Sequence, residues 1–178
     1  MEVWMIRHGQ TEDNLQDIIQ GSMQGKLTDL GMEQAKIVGN KLSTQKFSIA
    51  YSSDLKRAVD TSEIILSCTA HKPELILDQR LREKSGGIFE GKPRGSTTAY
   101  AVAHNINPRE FVPEGGESWL NVYSRVTSFF TFLLEKHAVK KEEGKEGEAE
   151  KILCISHGGF ISEILNVMQD LKGLPLIQ

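Results

Sequence analysis

Two histidines, each followed by glycine, bracket the chain. His8 lies in Arg7-His8-Gly9-Gln10-Thr11, directly after the apolar run Val3-Trp4-Met5-Ile6, and His157 lies in Ser156-His157-Gly158-Gly159, directly after Ile152-Leu153-Cys154-Ile155. A neutral imidazole can take up a transferred group and give it back, which splits one difficult step into two easier ones. Arg7 adds a planar fork of N–H donors that matches a pair of oxyanion oxygens. Gly9, with no Cβ, lets the backbone turn sharply and come close to a ligand. Phosphoryl transfer needs these parts: a positioned nucleophile, positive charge for the equatorial oxygens and a proton for the leaving oxygen.

The remaining parts are at hand. Arg57 follows Ser52-Ser53 and falls in the first turn of an amphipathic helix, where backbone N–H groups also favour an anion. His157, if protonated, adds positive charge, and the N–H groups near Gly158 and Gly159 are further donors. Glu83, in Leu81-Arg82-Glu83 ahead of Gly86-Gly87, is the carboxylate best placed to protonate a leaving alkoxide and then activate water. A structural ion pair with Arg80 or Arg82 competes for that carboxylate. Two arginines at one pocket suit a phosphate and repel a metal ion, so no metal and no cofactor are expected despite two histidines and a carboxylate.

These residues need elements to hold them. Both apolar runs end abruptly in a polar group, a His and a Gly, as buried strands do when they deliver side chains to a cleft. If the two strands are parallel neighbours, both imidazoles sit at the same sheet edge, where ligands bind in open α/β sheets. Residues 10–27 read as a polar, Gln-rich connection, and Thr28 as the N-cap of a helix carrying Ala35, Val38 and Leu42. Phe47 to Tyr51 reads as a strand. Asp54 is expected to cap the next helix, which turns Leu55, Ala58, Val59, Ile65 and Leu66 to one face and Lys56, Asp60 and Glu63 to the other. Glu74 to Leu77 reads as a short strand, and residues 91–114 as a loop with one short helix, of the kind that covers a site. From Ser118 a long helix is marked by Trp119, Val122, Tyr123, Val126, Phe129, Phe130 and Leu133, a stripe that reads as core. Another helix follows from Phe160 to Met168.

Composition narrows the function. The 178 residues are 39% apolar and 25% charged, which suits one α/β domain over 1–178. With 21 Lys and Arg against 24 Asp and Glu, net charge −3, and no basic stripe, neither nucleic acid nor an anionic membrane is an expected partner. The phosphate site must be a local cationic pocket. Cys68 and Cys154 are far apart in apolar surroundings and read as reduced thiols, and no leader or apolar run of about 18 residues is found, so the protein is expected to be soluble and cytoplasmic. Residues 138–151, AVKKEEGKEGEAEK, read as a mobile charged insertion.

Taken together, RHGQTEDN, SSDLKRAVDT, LRE, GGES and SHGG, in this order, resemble the histidine phosphatase superfamily, also called the phosphoglycerate mutase-like family. The resemblance implies a three-layer α/β/α sandwich with a mainly parallel, mixed sheet and the site at the C-terminal strand edge. It assigns His8 as the phosphorylated residue, Arg7 and Arg57 as phosphate ligands, Glu83 as proton donor and acceptor, and His157 as a stabiliser of the transferring group. Asn14, Thr11, Gln20, Gly21 and Gly158 match loop positions that contact phosphate or substrate. The partner implied is a small phosphorylated metabolite. Relatives generally continue to another strand after the last helix, so the C-terminus is expected to be incomplete. Mutases of the family carry a long insertion after the glutamate motif and an Arg-Arg pair; the short segment from Glu83 to Gly115 has no such pair, which favours a phosphatase. PEGGES, the charged insertion and DLKGLP are similar to the TIGAR-type fructose-2,6-bisphosphatases, and Lys84, Lys92 and Arg94 are candidates for a second phosphate. A cofactor-dependent phosphoglycerate mutase and a non-catalytic phosphate-binding interaction protein are the alternatives.

Overall fold

A computed structural model describes residues 1–137 and 149–171, with the side chain of Leu171 left out. Of the charged stretch expected to be an insertion, residues 138–148 lie outside the described residues, as does the C-terminal segment 172–178.

Among the described residues four parallel strands form one sheet: β1 (Glu2–Arg7), β2 (Ile49–Ser52), β3 (Glu74–Leu77) and β4 (Lys151–Ser156), in the spatial order β1-β4-β2-β3. β4 is central and its residues 152–155 are fully buried, which explains the unbroken apolar run, since a parallel strand is covered on both faces. Alternation assigns the faces. Ile152 and Cys154 pack with Ile49 and Tyr51 on one side, and Leu153 and Ile155 with Ala50 on the other.

Helices cover both faces, giving three layers. α2 (Asp29–Lys41) and α3 (Lys56–Ser67) bury Ala35, Leu42, Ala58, Ile65 and Leu66 against one face. α5 (Trp119–His137) and α6 (Gly158–Leu171) bury Val122, Val126, Phe129, Leu133, Phe160 and Ile164 against the other. The aromatic stripe of α5 is therefore core, as its spacing predicts. Thr28 caps α2 by accepting from the Gly31 N–H at 3.0 Å. Ser118 opens α5 by accepting from the Asn121 N–H at 3.1 Å.

Two local expectations are corrected. Residues 10–27 are not entirely irregular: α1 (Glu12–Leu15) forms there, closed by a capping box between Thr11 and Asn14. Asp54 does not cap α3. The N-cap position is Leu55, without a side-chain bond, and the Asp54 carboxylate instead takes both ends of the Arg82 guanidinium at 2.6 Å. A bidentate pair outcompetes a single cap bond for the same oxygens. In the segment 91–114 the one short helix is α4 (Ser96–Ala103).

Candidate active site

The sheet order brings the chemistry together. Arg7 and Ser156 are register partners at the ends of β1 and β4, so His8 and His157 leave the sheet side by side, with ring centroids 5.1 Å apart. The His8 N–H extends the ladder to the Ser156 carbonyl at 3.0 Å. β2 ends beside them at Ser52 and leads through Ser53 into Arg57, and β3 leads through one 3₁₀ turn (Gln79–Leu81) to Glu83.

His8 is 8% exposed, and its Nδ1 lies 2.7 Å from the Gly9 carbonyl. A carbonyl only accepts, so Nδ1 carries the hydrogen and Nε2 keeps its lone pair. Burial, against the raising effect of that bond and with help from Arg57 and Arg7, pushes the His8 pKa down to about 4. The ring is neutral at neutral pH. Gly9 is needed here for packing: a Cβ on it would meet the Gly31 carbonyl oxygen at 2.3 Å. Its expected approach to a ligand is replaced by an approach to α2, and its N–H is tied to Thr61 Oγ1 of α3 at 3.0 Å.

Arg57 is almost fully buried and its guanidinium is largely engaged. Nη2 donates to the Gly21 carbonyl at 2.9 Å, Nη1 donates to the Met23 carbonyl, and Nε donates to His157 Nδ1 at 3.2 Å. Desolvation lowers its pKa to about 10, so the charge persists. Three of five donors are thus spent on holding the 21–23 loop and orienting His157, and two remain for a ligand. Arg7 differs: it is exposed, forms no ion pair among the described residues, and lies against Gly158.

The charged role expected of His157 is not met. Its Nδ1 accepts from Arg57, so its hydrogen is on Nε2, which donates to Ser53 Oγ at 2.8 Å. Complete burial, with Arg57 beside it, holds its pKa well below the ordinary value, so His157 is neutral and orients Arg57.

Glu83 pairs with neither neighbouring arginine. Arg80 binds Asp78 and Arg82 binds Asp54. The Glu83 carboxylate instead accepts the Gly159 N–H at 3.0 Å and the Lys84 N–H at 2.9 Å. The Gly159 N–H, expected to serve as an oxyanion donor, is therefore occupied. A Cβ on Gly159 would lie 2.2 Å from Glu83 Oε1, so only glycine permits this approach. Behind Glu83, Arg125 donates to the Arg80 carbonyl at 2.7 Å, the Arg82 carbonyl at 3.1 Å and the Glu83 carbonyl at 3.4 Å. Glu117 fixes that arginine in turn, with both bonds at 2.9 Å. Glu117 lies in the GGES motif ahead of α5, whereas Arg125 is not legible as a positioning residue, because α5 periodicity marks only the apolar face of that helix.

A cavity of about 380 Å³ opens over these groups. Arg7, His8, Asn14, Gln20, Gly21, Arg57 and Glu83 all line it, together with Lys84, Arg94, Thr97, Thr98 and Trp119. Lys84 is half-buried, desolvated enough to lower its pKa, and sits 5.7 Å over the Trp119 ring. Gln20 Oε1 is buried without a hydrogen-bond partner. Thr11, Gly158 and Lys92 do not line the cavity. Thr11 is spent on capping α1, Gly158 supports Arg7, and Lys92 lies 4.8 Å over Phe89. Among the described residues no three His, Cys, Asp or Glu side chains group to hold a metal ion, and no helix is long and apolar enough to cross a membrane.

The fold is that of the phosphoglycerate mutase-like phosphatases, a class of phosphoric monoester hydrolases. The chain belongs to the histidine phosphatase superfamily (branch 1), which it matches over residues 3–176. It is 31% identical over 192 residues to fructose-2,6-bisphosphatase TIGAR B of Danio rerio, covering 94% of this chain and 75% of that protein. It is 34% identical over 175 residues to phosphoglycerate mutase-like protein 4 of Arabidopsis thaliana, covering 92% and 69%. The alpha-ribazole phosphatase structure from Shigella flexneri superimposes with a TM-score of 0.80 at 26% identity, over 99% of this chain and 82% of that one.

Proposed function

We propose that this chain hydrolyses a small phosphorylated metabolite in two steps through a phosphohistidine on His8. The observation that carries the reading is the His8 tautomer: with Nδ1–H held by the Gly9 carbonyl, the Nε2 lone pair belongs to a neutral ring that lines a cavity shared with three arginines and a carboxylate. His8 Nε2 bonds to phosphorus as the ester P–O bond breaks, and protonated Glu83 gives its proton to the leaving oxygen. Glu83, now ionised, takes a proton from water, the resulting hydroxide bonds to phosphorus, the P–N bond breaks, and inorganic phosphate leaves neutral His8 behind. Arg7 and the free donors of Arg57 face the developing oxyanion charge.

The names of the TIGAR relatives support a sugar bisphosphate as substrate, and Lys84 supplies a cation beyond the phosphoryl site. The short, Arg-Arg-free segment after Glu83 supports hydrolysis over mutase chemistry. The test is phosphate release, with EDTA present, from fructose 2,6-bisphosphate, fructose 1,6-bisphosphate, 2,3-bisphosphoglycerate, 3-phosphoglycerate and an aryl phosphate. Wild-type release with none from His8→Ala is expected. Equal release by His8→Ala overturns the nucleophile, and phosphoglycerate interconversion dependent on 2,3-bisphosphoglycerate overturns the hydrolase.

A further inference from the structure

Helix α6 buries a carboxylate that the phosphoryl chemistry does not use. Glu163 is 2% exposed and shares a face of the helix with Phe160 and Val167, which belong to the core. Burying an ionised carboxylate is costly unless it is paired and hydrogen-bonded. Arg109 supplies the pair: its Nη2 donates to Glu163 Oε1 at 2.5 Å and its Nη1 to Oε2 at 3.4 Å. Asn166 Nδ2 donates to the same Oε2 at 2.9 Å. A guanidinium held by both carboxylate oxygens is fixed in direction as well as distance.

Arg109 belongs to the segment that covers the cavity. Near its start this segment is tied to the body by backbone bonds, from the Ile19 N–H to the Lys92 carbonyl at 2.8 Å and from the Gly91 N–H to the Ile19 carbonyl at 2.9 Å. Phe89, Tyr100 and Phe111 pack on one another within it, with ring centroids 5.4 to 6.2 Å apart, while most of α4 is exposed. Near its far end the tie is Arg109. Its side chain holds Glu163, and its carbonyl accepts the N–H of Trp119, the first residue of α5, at 3.1 Å. Pro108 and Trp119, the residues next to that bond, line the cavity together with Glu83. The Trp119 ring edge lies against Gly159, whose N–H holds Glu83 and which precedes Glu163 by one helical turn. One helix thus anchors both the proton donor and the wall beside it.

We propose that Arg109, through its ion pair with Glu163, is a positioning residue that holds the Pro108–Trp119 wall and so sets which leaving groups the cavity accepts. The inference rests on the hydrolase reading and deepens it, because a leaving group that takes its proton from Glu83 lies beside this wall. Arg109 touches no reacting atom. Its effect is confined to the first step, since the leaving group is gone when water attacks the phosphohistidine.

The test compares 4-nitrophenyl phosphate, whose leaving group is large and planar, with acetyl phosphate, whose leaving group is too small to need the wall. Both leave readily, so neither depends strongly on proton donation, and both form the same phosphoenzyme. Arg109→Met combined with Glu163→Met removes both charges without leaving either one orphaned. This double variant should lower kcat/KM for 4-nitrophenyl phosphate about tenfold, through KM, and leave that for acetyl phosphate within about twofold. The decay rate of the phosphoenzyme, followed after acetyl phosphate is removed, should be unchanged. An equal loss on both esters, slower phosphoenzyme decay, or no change at all overturns the proposal. Thermal unfolding reports whether the variant is folded. If it is not, Glu163→Gln, which keeps Oε1 as an acceptor, is judged by the same pattern at about threefold. If the wild type turns over neither ester, the hydrolase reading has failed. In that case, or if acetyl phosphate alone is turned over, calorimetric titration judges the wall by itself: weaker binding of 4-nitrophenyl phosphate to the variant with equal binding of inorganic phosphate supports it, and any other pattern overturns it.

Discussion

Gly159→Ala isolates the role of Glu83 without touching Glu83. The new Cβ would lie 2.2 Å from Glu83 Oε1 and 2.8 Å from the Trp119 ring edge, whereas an unstrained contact is longer by about 1 Å. The carboxylate is the far end of a flexible side chain, so it moves, and the fold survives. A displacement of about 1 Å at a catalytic group costs on the order of 10²-fold, or roughly 2.7 kcal/mol of barrier. For a sugar phosphate, whose alkoxide leaves only with a proton, kcat should fall by that factor. For an aryl phosphate the first step needs little acid help, while water activation in the second step still needs Glu83. The variant should therefore accumulate phosphoenzyme and release a burst of phenol approaching about one equivalent per site, followed by slow turnover. Stopped-flow absorbance reads the burst, and thermal unfolding confirms that the fold is intact. A folded variant that hydrolyses sugar phosphate within about threefold of wild type, or slows on both esters without a burst, would refute the assignment of Glu83.

The low pKa of His8 has a stability consequence. Folded His8 takes its proton near pH 4 and the unfolded residue near 6.5, so the unfolded state binds more protons in that window and stability is lost as pH is lowered through it, by up to about 3 kcal/mol. Urea unfolding of wild type and His8→Gln from pH 7.5 to 4 should show wild type losing more, and the His8 ring protons should titrate near 4 by NMR; a midpoint near 6.5 contradicts both. Arg57→Lys keeps the charge but cannot reach two loop carbonyls and His157 at once. It should lower kcat/KM by about 10²-fold and speed proteolysis in residues 20–25, and an unchanged cleavage rate would mean that Arg57 does not hold the loop.

What could be read from the residues alone was what depends on local order. The apolar runs before His8 and His157, the α5 stripe and the Thr28 cap are patterns of neighbouring residues, and each maps onto an observed element. The motifs also named the groups of the site, because phosphoryl chemistry admits few side chains and Arg7, His8, Arg57 and Glu83 do line one cavity. Only the tertiary structure decided how those groups spend their hydrogen bonds. Arg57 and His157 are 100 positions apart, and their contact, which makes His157 neutral and turns Arg57 toward the 21–23 loop, exists only once β4 lies between β1 and β2. Asp54 reads locally as a cap, yet folding offers it Arg82 and a stronger pair. Propensity and periodicity are properties of short windows, whereas protonation and donor direction belong to whichever distant partners the fold brings within about 3 Å.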